Sequence, residues 1–214
     1  MKEKQRSPKF GSVLPIDFDN KNGHTEFYPA DEIFSEIKDY FTKKQSPDYI
    51  WLNGFKDISL YLGFQRLLNM IKETFPNQKI GGYINASSFV YENVRKAFLS
   101  YDLVVINLNS VVQTNFYQSC ICNEDWDIEE ILNGVRLFRK DFKGHFSIYT
   151  MLLKGINEKL EDVVRLKSFL LEVKPNHLSV NTFNRCGFEP VSDEFKDRVK
   201  ETLQDLPFKV SFTF

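Results

Sequence analysis

The chain has 214 residues, 42% of them hydrophobic and 15% aromatic, enough apolar material for one sizeable core in a single domain spanning 1–214. Its 28 Lys and Arg against 29 Asp and Glu leave a formal charge of −1, which argues against general attraction to nucleic acid or acidic lipid. Three cysteines exclude a disulfide framework, and no apolar run nears the roughly 20 residues that span a bilayer, so a cytoplasmic protein is expected.

Residues 1–10 are polar and basic and read as a loosely attached start. Residues 12–18 form a first strand, followed by the turn chemistry of Asp-Asn-Lys-Asn-Gly at 19–23. A helix over 30–43 opens on Asp31 and Glu32 and carries Ile33, Ile37, Tyr40 and Phe41 on one face. Residues 49–52 are the second strand. Phe64, Leu67, Leu68, Ile71 and Phe75 mark the next helix, which Pro76-Asn77 ends. The third strand, 80–84, contains Gly81 and Gly82, which permit close packing or ligand approach.

A helix from Ser87 or Ser88 then carries Val90, Val94, Ala97 and Phe98. Residues 103–107 are the clearest strand of the chain, β-branched and bounded by turns. After a short helical piece over 112–118, Asp127 caps a helix and Glu130 completes a capping box. Ile128, Ile131, Leu132, Val135, Phe138 and Phe142 recur on its inner face, and Lys143-Gly144 stops it through a left-handed glycine. Residues 146–153 read as a buried strand, too apolar for an exposed helix. Asn157 restarts a helix bearing Leu160, Val163, Leu166, Leu170 and Val173, and 178–180 is the sixth strand. A last helix from Ser192 carries Phe195, Val199 and Leu203. Residues 208–214 alternate at period two and add an edge strand.

Six strand-then-helix units predict an α/β protein with parallel strands and helices outside. A complete eight-unit barrel needs about 250 residues, so a partial (βα)6 TIM-like barrel is expected ahead of a closed one or a flat doubly wound sheet. In each case the βα loops at the strand C-termini form the functional face.

The run Leu152-Leu-Lys-Gly-Ile-Asn157, the run Leu178-Ser-Val-Asn-Thr182 and the capped helix over 128–140 resemble the core of the radical S-adenosylmethionine (SAM) superfamily. They are similar to the short stand-alone group related to the tRNA wyosine-synthesis enzyme. The resemblance covers most of the chain, is strongest over 103–182, and concerns scaffold. It implies a [4Fe–4S] cluster held by a Cys-x3-Cys-x2-Cys loop after the first strand, and SAM beside it. Residues 19–28, which occupy that loop, contain no cysteine. Where the family places Gly-Gly-Glu, this chain has Asn53-Gly54-Phe55-Lys56-Asp57. Where relatives carry Ser-x-Asp near the ribose, it has Asn107-Leu108-Asn109. Thiolates are the cluster's ligands, and without them its electron source is lost. No cofactor is therefore expected.

Candidate ligand-binding residues gather at the strand C-termini: Asn53, Gly54, Asp57, Asn85, Asn107, Asn109, Lys154, Asn181 and Thr182, with Asn184 and Arg185 beyond them. They would line a SAM-like or nucleotide-like pocket, although turns favour Asn and Gly for backbone reasons of their own. Cys120, Cys122 and Cys186 could converge on a zinc ion or an iron–sulfur cluster, but the Cys-x-Cys spacing is unlike a zinc knuckle and ordinary free thiols fit it better. His24 lies in the former cluster loop, whereas His145 and His177 precede strands and read as structural. The expectation is a degenerate radical-SAM-like protein without a cluster. It acts as a binding or partner subunit beside an active relative or in a homodimer, and keeps a polar pocket. The alternative is a metal-dependent enzyme using the three cysteines. A metal-free αβ-barrel enzyme for a small phosphorylated substrate is a third reading.

Overall fold

Apolar residues at helical spacing alternate with short β-branched runs along the chain, and the structure, a computed structural model, follows that alternation. It describes residues 5–7, 11–17, 28–43, 46–53, 63–119, 126–184 and 188–214. The chain forms two compact units, residues 1–84 with 100–104, and residues 85–99 with 105–214.

In the first unit β1 (Gln5–Ser7) pairs antiparallel with β2 (Gly11–Asp17), a short strand that the sequence pattern did not mark. From there the strands are parallel: β2 with β3 (Tyr49–Asn53), and β3 with β4 (Lys79–Asn85). Between them run α1 (Ala30–Lys43) and α2 (Phe64–Thr74). Each helix buries one stripe, Ala30, Ile33, Ile37 and Tyr40 in α1, and Phe64, Leu67, Leu68 and Ile71 in α2. Phe41 and Phe75 stack at 4.3 Å where the two helices end. The glycine pair serves close packing. A Cβ on Gly81 would lie 2.7 Å from the Trp51 ring, and one on Gly82 would lie 2.7 Å from the Tyr101 ring.

The second unit begins with a 3-10 helix, Ala86–Val90, and α3 (Glu92–Phe98). The expected helix start at Ser87 or Ser88 is thus a 3-10 turn. β5 (Leu103–Asn107), whose residues from Val105 on belong to this unit, leads into α4 (Gln113–Ser119), α5 (Ile128–Asp141), β6 (His145–Met151) and α6 (Leu160–Val173). β7 (His177–Asn181), α7 (Asp193–Leu203) and β8 (Lys209–Thr213) complete it. β6, β7 and β8 are parallel neighbours in chain order. The α/β class with parallel strands and intervening helices is as expected, and the C-terminal strand is present.

The core of this unit is aromatic. Phe138 of α5 stacks on Phe89 at 4.3 Å and on Phe142 at 4.7 Å, and meets Phe146 of β6 edge-on at 5.9 Å. Helix α5 approaches the 3-10 helix so closely that a Cβ on Gly134 would lie 2.3 Å from the Phe89 carbonyl oxygen. Arg95 donates to the Phe89 and Val90 carbonyls, satisfying backbone that the 3-10 turn leaves open.

Helix ends differ in detail from expectation. Asp127 caps α5 by accepting from the Glu129 N–H at 2.7 Å, and Gln113 accepts from the Ile128 N–H at 2.7 Å. Gly144 takes no left-handed turn. Among the described residues only Gly155 and Lys174 have positive φ, and Lys174 ends α6 there. No helix among the described residues is long and apolar enough to cross a membrane.

Candidate functional site

Successive side chains of a strand point to opposite faces, and in β6 and β7 the two faces differ in chemistry. Phe146 and Ile148, with Leu178 and Val180, are fully buried and apolar, Phe146 lying against α5. The opposite face follows the register. Ser147, His177 and Lys209 form one row across β6, β7 and β8. Tyr149, Ser179 and Ser211 form the next, and Met151, Asn181 and Thr213 the third. Only Met151 lacks a polar group in these three rows. A parallel sheet covered on both sides normally reads as continuous apolar runs. This wall departs from that pattern, and it pairs His177 with Ser211 at 2.9 Å.

Among the predicted residues whose side chains are described, those at the C-terminal ends of the strands divide into several already engaged and one that is not. Asn109 is buried, accepts from the Met151 N–H at 2.9 Å and donates to the Ser119 carbonyl at 3.1 Å. Asn157, also buried, accepts from the Leu153 N–H at 2.7 Å and donates to the carbonyls of Asn109 at 2.8 Å and Met151 at 2.9 Å. Thr150 donates to the Leu108 carbonyl at 2.8 Å, and the Leu152 N–H to the Asn181 carbonyl at 2.8 Å. The loops after β5, β6 and β7 are thus sewn together by side-chain amides. Asn157 was expected to restart a helix. Instead α6 begins at Leu160, and Asn157 is a loop fastener whose partners lie up to 48 residues away.

The remaining candidates are placed as follows. Asn85 ends β4 and accepts from the Ser87 N–H at 3.3 Å, capping the 3-10 helix. Thr182 accepts from the Val191 N–H at 3.0 Å, and the Asn181 amide donates to Ser179 at 3.0 Å. Lys154 is exposed and held by Glu189 at 2.6 Å, a carboxylate that raises the lysine pKa. Asn53 is the last residue of β3, in the first unit. Gly54, Asp57, Arg185, His24 and all three cysteines, Cys120, Cys122 and Cys186, lie outside the described residues. Among the described residues no group of three or more His, Cys, Asp or Glu could hold a metal ion.

Asn107 stands apart. It closes β5, and its Oδ1 is buried with no hydrogen-bond partner among the described residues. An unpaired buried amide oxygen costs about 1–3 kcal/mol.

No protein-family model matches the chain. Among curated proteins, a GTPase Obg of Brachyspira hyodysenteriae is 27% identical over 165 residues, which is 77% of this chain and 24% of that protein. A UPF0026 protein of Methanocaldococcus jannaschii is 26% identical over 159 residues, 73% of this chain and 49% of that protein. The chain spans about half or less of the length of these two relatives. It has no Gly-x4-Gly-Lys-Ser/Thr phosphate loop. Among solved structures, a radical SAM methyltransferase from Sphaerobacter thermophilus superposes with a TM-score of 0.73 over 98% of this chain and 68% of that one, at 13% identity. Streptococcus suis SuiB bound to S-adenosylmethionine superposes with a TM-score of 0.64 over 89% of this chain and 44% of that one, at 11% identity. The chain has the radical SAM fold.

This overturns the expectation that no cofactor is involved. A chain of the same fold is solved with S-adenosylmethionine bound, and another is a radical SAM methyltransferase. The expectation rested on thiolates missing from residues 19–28.

Proposed function

We propose that this radical-SAM-fold chain binds SAM at the C-terminal ends of the second unit's strands, as a binding or partner subunit rather than a generator of radicals. The observation that carries the reading is Asn107, a buried acceptor at a strand end with no donor of its own. A ribose hydroxyl supplies the O–H that it lacks, and an uncharged amide can take it. The amide-stitched loops fixed by Asn109 and Asn157 hold that strand end rigid, so little ordering is left for the ligand to impose. When bound, SAM supplies a sulfonium and an adenosyl group. The chain's own residues then bind and orient it.

The donor set does not fit a cluster in the first βα loop, since residues 19–28 contain no cysteine. Partnership with an active relative or a second copy follows from that reading. It would set the bound SAM beside chemistry housed elsewhere.

Thermal denaturation with SAM tests the pocket. SAM is expected to raise the melting temperature of the wild type, and Asn107→Ala is expected to weaken binding about tenfold. No shift with SAM, or an identical shift in the variant, overturns the assignment. Anaerobic reconstitution with iron and sulfide tests the subunit role. A brown protein whose absorption disappears on Cys120→Ser replaces that role with a metal-dependent enzyme.

A further inference from the structure

The N-terminal end of the same polar wall carries a second chemistry. The register sets Ser147, His177 and Lys209 side by side, and His145, two residues before Ser147, shares their face. Ser147 is 1% exposed, and its hydroxyl has no partner among the described residues. His177 is buried and its Nε2 lies 2.9 Å from the Ser211 hydroxyl. Lys209 is exposed, and no carboxylate lies within ion-pair distance of it among the described residues. Shielding from water, together with the Lys209 charge, presses the His145 pKa down, as expected where positive charge is uncompensated.

We infer that the N-terminal end of β6–β8 is a binding site for a phosphate group, assembled from Lys209, His145 and the Ser147 hydroxyl. Lys209 supplies the charge, the His145 imidazole an N–H donor, and Ser147 an O–H donor that presently has no acceptor. His177, tied to Ser211, fixes the neighbouring strand positions of the row. An oxyanion in this place gives the Lys209 charge a counterion and satisfies a buried hydroxyl in one step. The site is independent of SAM binding, because it occupies the other end of the strands and shares no residue with Asn107.

Nuclear magnetic resonance of the histidine ring protons in the full chain reads the site directly. Titration with inorganic phosphate should shift the His145 resonance saturably. Lys209→Gln should weaken that binding about tenfold, and Ser147→Ala should weaken it by a smaller factor. Lys154→Gln, at an exposed lysine held by Glu189, should leave it unchanged. A parallel titration with a nucleoside monophosphate separates two sources of the group. Tighter binding than inorganic phosphate marks an esterified phosphate as the ligand, and equal binding marks the free anion. No saturable shift overturns the site, and so does a shift that Lys209→Gln leaves untouched, the behaviour of an adventitious ion only.

Discussion

The two faces of β6 and β7 are made from the same strands and differ in almost everything else. On one, Phe146, Ile148, Leu178 and Val180 are sealed, and the one polar side chain, Thr150, hands its proton to the Leu108 carbonyl. On the other, Ser147 is as buried as its neighbours yet has no hydrogen-bond partner among the described residues. The contrast separates stability from function. The apolar face satisfies itself, whereas the polar face pairs His177 with Ser211 and Asn181 with Ser179 but leaves the Ser147 hydroxyl over.

Substitutions on the two faces should therefore behave in opposite ways. Phe138→Ala should cost about 3–5 kcal/mol in denaturant unfolding, because a ring stacked on Phe89 and Phe142 leaves a cavity that the aromatic core cannot close. Gly134→Ala should cost about 1–3 kcal/mol, against the usual gain for alanine in a helix, since its Cβ would strike the Phe89 carbonyl. Thr150→Val keeps the volume but strands the Leu108 carbonyl, at about 1–2 kcal/mol. Ser147→Ala should leave stability unchanged or raise it by up to about 1 kcal/mol, because it removes an unpaired buried hydroxyl. A Ser147→Ala loss as large as that of Thr150→Val would mean that the two faces are not different in kind.

How much of this was legible in the sequence depends on how far each residue's partners lie along the chain. The spacing of Ile131, Leu132, Val135 and Phe138 gave α5, and all four are buried. The run of Leu103 to Asn107 gave β5 with its bounds, because local β-branching and flanking turns suffice. Asn157 reads locally as a helix start, since nothing nearby reveals that its amide reaches the carbonyl of Asn109. The polar wall was also missed. Residues 146–153 read as one buried apolar run, and the alternation in Ser147, Tyr149 and Met151 gains meaning only when β7 and β8 bring His177, Ser179 and Ser211 alongside. Asn107 was marked as a candidate by its place at a strand end. That it alone among the described strand-end candidates has an unpaired buried oxygen is a property of the fold.

A crystal of the chain soaked with SAM measures the central claim most directly. The account predicts density for the nucleoside at the C-terminal end of β5, with a ribose hydroxyl within hydrogen-bond distance of Asn107 Oδ1. Nucleoside density anywhere else, with Asn107 still lacking a donor, contradicts it.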